Sequence, residues 1–188
     1  MDAIAALTSR SSSAKLCAPA PSEAHFELIA QAMLRAPDHG LLRPWRYLRI
    51  EGDGLKALGE VFASAMRQRD PHLSDEALQR FHNMPLRAPL LVVGIACLQA
   101  HPKVPEHEQL LSAGCGLHAA LLAAHALGYG GIWRTGDLAE DAYVRQALGL
   151  ASNERISGFL YLGSLDGELR IKPTPEVTVH VTRWPLQS

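Results

Sequence analysis

The sequence predicts a chain of interleaved helices and strands, about four strands among six or so helices, and three stretches carry that reading. Leu90 to Ala100 is apolar at odd and even positions alike, which suits a central strand covered on both faces. Ile156 to Gly163 (Ile-Ser-Gly-Phe-Leu-Tyr-Leu-Gly) reads as a second buried strand. Between them, a stretch that starts near Pro105 and ends at Gly128 is apolar almost all round, as a deeply covered helix would be.

The other elements follow in order. Asp2 is an N-cap for a first helix from Ala3 to about Ser9. Ser22 caps a second, whose positions Phe26, Ile29, Ala30, Met33 and Leu34 keep the i, i+3, i+4, i+7, i+8 rhythm; Pro37 stops it. Tyr47 to Glu51 is a strand, closed by the turn Gly52-Asp53-Gly54. Leu55, Leu58, Phe62, Ala65 and Met66 mark a third helix, and Ser74 opens a fourth that runs to about Asn83. Gly130 to Thr135 is a short strand or loop, and Leu138 to Leu148 is helical. Val177, Val179 and Val181 alternate with other residues and predict a last strand with one buried face.

Composition narrows the function. The 188 residues fit one domain (1–188), enough chain to bury roughly 70% of its unfolded surface. A net charge of −1 leaves no electrostatic footprint for nucleic acid or an anionic membrane. Ser112, His118, His125 and two glycines interrupt the longest apolar run, so it reads as a buried helix and not a membrane span. The start, Met1-Asp2-Ala3-Ile4, lacks the pattern of a signal peptide. Three cysteines without metal-ligand spacing (Cys17, Cys97, Cys115) read as reduced thiols packed in a cytoplasmic protein. His118 and His125 lie two turns apart on one helix, too far to share a metal, so no metal site is expected. The long helix needs more cover than so short a chain supplies, and a second subunit would provide it.

No Walker loop, dinucleotide-binding glycine fingerprint, serine elbow or H-E-x-x-H is present. Three other segments stand out. Arg10-Ser11-Ser12 offers a guanidinium fork and hydroxyls suited to a phosphate, although such turns are also common on surfaces. In Arg35 to Trp45 two prolines fix the loop, and Arg35, His39 and Arg43 supply donors beside an aromatic anchor, as would suit a planar ligand with carbonyl edges or a merely rigid loop. Gly128-Tyr129-Gly130-Gly131-Ile132-Trp133-Arg134 would let backbone approach a flat ring, or serve as a helix exit.

In this order, R-S-x-S, A-P-x(6)-P-W, G-x-G-G-I-W-R and G-F-L-Y-L-G resemble the nitroreductase family, and within it the short, YdjA-like subfamily of NAD(P)H nitroreductases. The resemblance spans about Asp2 to Thr182. It implies an α+β, nitroreductase-like fold with a central mixed β-sheet of four to five strands surrounded by helices. It also implies an intimate homodimer with FMN at the subunit interface. NADH or NADPH would be the reductant, and a nitro-compound, quinone or similar small molecule the acceptor. Turnover would be ping-pong through flavin N5, and no side chain would act as a dedicated acid or base. By the same resemblance Arg10, Ser11 and Ser12 hold the phosphate and ribityl end. Gly131, Ile132 and Trp133 line the ring, while Arg35 and His39 reach it from the partner subunit. Leu41 and Arg43 stand where many relatives carry Asn and Gln, and Ser11 where close relatives often carry Arg. Lys172 and Arg183 are available as a further phosphate cation. These departures keep open an FMN-binding dimeric module with little turnover, and a thiol-based redox protein using Cys115 or Cys97 is a third reading.

Overall fold

The computed structural model describes residues 1–169 and 172–184. Five strands form the sheet: β1 (Leu16–Cys17), β2 (Trp45–Glu51), β3 (Leu90–Cys97), β4 (Gly130–Arg134) and β5 (Glu154–Leu165). The long strand β5 is the hub. It pairs with β3, β4 and β1, and β2 lies beyond β3. Each of these pairings is antiparallel, so the sheet expected to be mixed is antiparallel among the described residues. Strand β1 had no signal of its own, since two residues between Ser and Pro clusters carry no period.

Helices form where caps and periodicity coincide. In α1 (Ala3–Ser9) the Asp2 carboxylate accepts from the Ala5 N–H, and in α2 (Glu23–Met33) the Ser22 hydroxyl accepts from the His25 N–H. Helix α3 (Asp53–Arg69) starts directly after Gly52, so the expected turn is also its first turn. Ser74 caps α4 (Asp75–His82) in the same way. Helix α5 (Glu106–Ala126) is the longest, and Gly128 follows it at φ +88°, which glycine adopts without strain. The helix expected from Leu138 to Leu148 is split into α6 (Asp137–Glu140) and α7 (Ala142–Ala147). Asp141 makes the break: one carboxylate oxygen caps Val144 and the other takes Arg69 Nε at 2.7 Å.

The strand expected at Val177–Val181 does not form. Val177–His180 is a single helical turn, α8, and its valines are about two-thirds exposed. Alternating valines make a strand only beside a partner, and no described strand lies next to them.

Two apolar layers sandwich the sheet. On one face α3, α6 and α7 cover Leu91, Val93, Phe159 and Tyr161. On the other, α2 and α5 cover Leu90, Val92, Leu160 and Leu162. Strand β4 follows the same alternation, with Ile132 packed in the first layer and Trp133 in the second.

Candidate functional site

The N-terminal segment reaches the glycine-rich strand directly. After α1 the chain turns at Arg10, and the Ser13 N–H donates to the Gly131 carbonyl at 3.0 Å. Arg10 Nη1 donates to Ser12 Oγ at 3.3 Å, and no described carboxylate pairs with its guanidinium. Behind it, Ser9 Oγ and His125 Nε2 are 2.9 Å apart. Burial, and then the charge of Arg10, hold the His125 imidazole below its ordinary range. Ser11 is buried, and its Oγ accepts from the Lys172 N–H at 3.4 Å. Lys172 thus joins the same cluster, whereas Arg183 makes no contact with it among the described hydrogen bonds. One protomer therefore brings together Arg10, Ser11, Ser12, Lys172 and Gly131.

Gly131 is a glycine for a reason other than a ring above it. A Cβ there would sit 2.6 Å from Leu121 Cδ1 and 2.9 Å from Leu162 Cδ2, so the core demands its absence. What β4 offers outward is backbone. The Gly131 carbonyl points away from β5, and by the two-residue alternation the Trp133 N–H faces the same free edge. The Trp133 indole is fixed by donating Nε1–H to the Ser157 carbonyl at 3.2 Å. Ser157 is the extra residue of a bulge: Gly94 faces Gly158 while Ile95 faces Ile156. Gly158 follows at φ +152°, with no room for a side chain beside the indole. The glycine inside G-F-L-Y-L-G is the sequence sign of this bulge, within a segment whose apolar run alone predicts an unbroken strand.

A trough of about 820 Å³ runs from Trp133, Ser157 and Thr135 along the outer face of α5, past Leu110, Leu111, Cys115 and His118. Leu111 is 66% exposed. Ser157 Oγ is buried and has no hydrogen-bond partner among the described residues. Cys115, expected to be packed, is exposed on this face, and Cys17 is exposed as well. Cys97 is half-buried; burial and the neighbouring Glu154 push its thiol up to about 11, so it is a poor nucleophile at neutral pH. Glu154 itself is held down at about 2 by its paired hydrogen bonds from Arg46.

Arg35 and His39 lie elsewhere. His39 Nδ1 is 2.7 Å from Glu108 in the first turn of α5, and Arg35 is exposed just beyond α2. His125 and the Arg10 cluster stand at the last turn of α5, so about 25 Å of helix separates the two groups. Within one protomer they do not converge.

The loop that carries His39 is strained and firmly tied. Leu41 and Arg43 have φ of 55° and 48°, unusual for residues with a Cβ. Asp38 accepts from the Arg43 N–H, Gln99 Nε2 donates to the Leu42 carbonyl, and Ser112 Oγ donates to the Pro37 carbonyl. Such strain persists only where the surroundings over-determine it, and it gathers at functional sites.

The sequence model of the Nitroreductase family matches residues 7–164. The chain is 40% identical over 183 residues to "Putative NAD(P)H nitroreductase YdjA" of Escherichia coli (strain K12), covering 95% of this chain and 99% of that protein. A nitroreductase-like family protein from Bacillus cereus superposes with a TM-score of 0.83 at 18% identity, over 98% of this chain and 97% of that one. An NADPH:FMN oxidoreductase from Vibrio harveyi, solved with NAD+, gives 0.75 at 21% identity, over 98% and 78%. Among the described residues, no helix is long and apolar enough to cross a membrane, and no group of side chains is placed to hold a metal ion.

Proposed function

The chain belongs to the nitroreductase family of oxidoreductases, and from that premise we propose that it is an FMN-dependent homodimer. It takes hydride from NADH or NADPH and reduces nitro-compounds, quinones or similar small acceptors with ping-pong kinetics. Its similarity to an NAD(P)H nitroreductase and to an NADPH:FMN oxidoreductase supports this reading. The observation that carries it is the separation of two donor sets on opposite ends of α5, each suited to a different part of one ligand.

The residues present fit FMN. Arg10, free of any described carboxylate, with Ser11, Ser12 and the nearby Lys172, would hold the phosphate and ribityl chain. Gly131, Ile132 and Trp133 would line the ring with backbone, the Trp133 N–H offering a donor along the free edge of β4. Ser157 Oγ, buried and unpartnered beside Trp133, is a further donor that a ring with carbonyl edges would satisfy. Arg35 and His39 would come from the partner, and Glu108 orients the His39 ring. FMN, when bound, supplies the hydride chemistry. The protein's part is to position, to place cations near accumulating negative charge and to exclude water from one face of the ring. The exposed leucines of α5 and the exposed valines near α8 are apolar surface that a second subunit would cover.

Absorbance in the flavin bands and NAD(P)H oxidation with a nitroaromatic acceptor test the activity. A colourless protein that also fails to take up added FMN would overturn it. Co-expression of Arg10→Ala and Arg35→Ala chains tests the shared site: each alone loses flavin, while mixed dimers hold one intact site and recover part of it. No recovery would place both halves in one subunit. Leu41 and Arg43 favour the second reading, a flavin-binding dimer with little turnover, and stable FMN binding without reduction by either nicotinamide would establish it.

A further inference from the structure

On the sheet face opposite Trp133 lies a second cavity that the flavin reading leaves unused. It holds about 500 Å³, within the range of small-molecule pockets, between α3, α4 and the end of β4. Its walls are Phe62, Met66, Phe81, Met84, Leu138 and Phe159. Polar groups enter at three points. Arg87, from the turn before β3, and Arg134, from the last position of β4, line it, and neither guanidinium pairs with a described carboxylate. Tyr161 lines it too and is 4% exposed, yet its hydroxyl has no hydrogen bond among the described residues. Asp137, the one acid in the lining, is turned to Arg69 at 3.8 Å.

The Tyr161 ring is buried, while its hydroxyl, with no partner among the described residues, keeps a donor for whatever fills the cavity. Both arginines act on that phenol: burial raises its pKa, while the charges of Arg87 and Arg134 lower it. The three groups thus share one field, above an aromatic and methionine floor. Two cations and a hydroxyl donor, with no free acid between them, select a negative head; the floor selects an apolar body.

We propose that this cavity binds a small organic carboxylate with an aromatic or short alkyl body, its carboxylate taken by Arg87, Arg134 and the Tyr161 hydroxyl. The site is separate from the flavin trough, because successive residues of β4 point to opposite faces of the sheet. Only Thr135, at the end of the strand, borders both.

The test uses the full chain with saturating FMN and naphthalene-1-carboxylate as the probe, followed by calorimetry. One probe should bind per chain in the micromolar to low millimolar range, and uncharged naphthalene-1-carboxamide at least ten-fold more weakly. Arg87→Gln and Arg134→Gln should each weaken the probe about five- to ten-fold, and Tyr161→Phe by a few-fold. Flavin content and NAD(P)H oxidation of Arg87→Gln should match the parent. No saturable binding would overturn the proposal, as would equal binding of the amide. Probe affinity unchanged in the Arg87→Gln/Arg134→Gln double variant would do so too, since it would place the probe on the flavin side.

Discussion

The two ends of α5 are built in opposite ways. At its C-terminal end the donors are gathered within one protomer: Ser13 is bonded to Gly131, Ser9 to His125, and Ser11 to the backbone of Lys172. At its N-terminal end, His39 stands exposed on a strained loop and Arg35 is exposed just before it, about 25 Å of helix from the Arg10 cluster. The first end is finished by folding; the second is held in shape by folding and, in the proposed dimer, would be finished by assembly. Hydrogen bonds from Asp38, Gln99 and Ser112 hold the loop in one shape despite the strain at Leu41 and Arg43.

The largest test is aimed at the proposed dimer and leaves both ends intact. Leu111→Glu places a carboxylate on the exposed face of α5, where the monomer tolerates it and an apolar interface does not. We expect monomers by size-exclusion light scattering, a far-UV spectrum like the parent, and flavin affinity reduced by about 100-fold or more. Retention of both dimer and flavin would show that α5 is not the interface. Next, Arg10→Ala removes a charged donor from the finished end and should weaken FMN binding by about 1.5–3 kcal/mol, read by titration of the apoprotein. Unchanged affinity would remove Arg10 from the phosphate site.

The opposite sign is expected at the strained end. Leu41→Asn puts a residue that tolerates positive φ at a position with φ 55° and 79% exposure, so thermal or urea unfolding should show a gain of about 0.5–1 kcal/mol. A loss would mean that Leu41 makes a contact stronger than its backbone strain.

The smallest effect is the pH dependence of the finished end. His125 is held below the ordinary imidazole value of 6.5 in the folded protein. The unfolded chain takes up a proton near pH 6.5 that the folded chain still refuses, so stability falls as pH drops through that value. The fall levels off once folded His125 also titrates, and His125→Gln should flatten that part of the profile. Bound phosphate nearby would raise the imidazole pKa, so FMN should shift the His125 ring resonances toward the protonated form at pH 6.

How much of this was legible in the sequence depends on the range of the interaction. Asp2, Ser22 and Ser74 act on backbone three residues away, and those caps and their helices were read correctly. The buried strands β3 and β5 were equally clear, because burial on both faces leaves a run of apolar residues. Asp141 was missed since its second partner, Arg69, comes from α3 far along the chain. The Val177–Val181 alternation is real but needs a neighbouring strand that the described residues do not supply. In the site, Arg10 and Gly131 could be paired only by family pattern, as nothing local says that Ser13 docks on β4. Glu108 carried no signal at all, because its role is set by a histidine 69 positions earlier.

Helix α5 also acts as a gauge. Its rise of 1.5 Å and turn of 100° per residue fix how far apart, and on which faces, the two donor sets stand. An insertion or deletion in either flanking loop changes neither. A single residue added between Ser112 and His125 would rotate the far end by more than a quarter of a circle, carrying His125 off Ser9 or Leu111 off the trough. The shortest change that brings the phase back to within about 20° is seven residues, two full turns, and it alters the spacing by about 10 Å. Length variation in chains built this way should therefore collect in the loops and spare this helix, a pattern that drift alone would not produce.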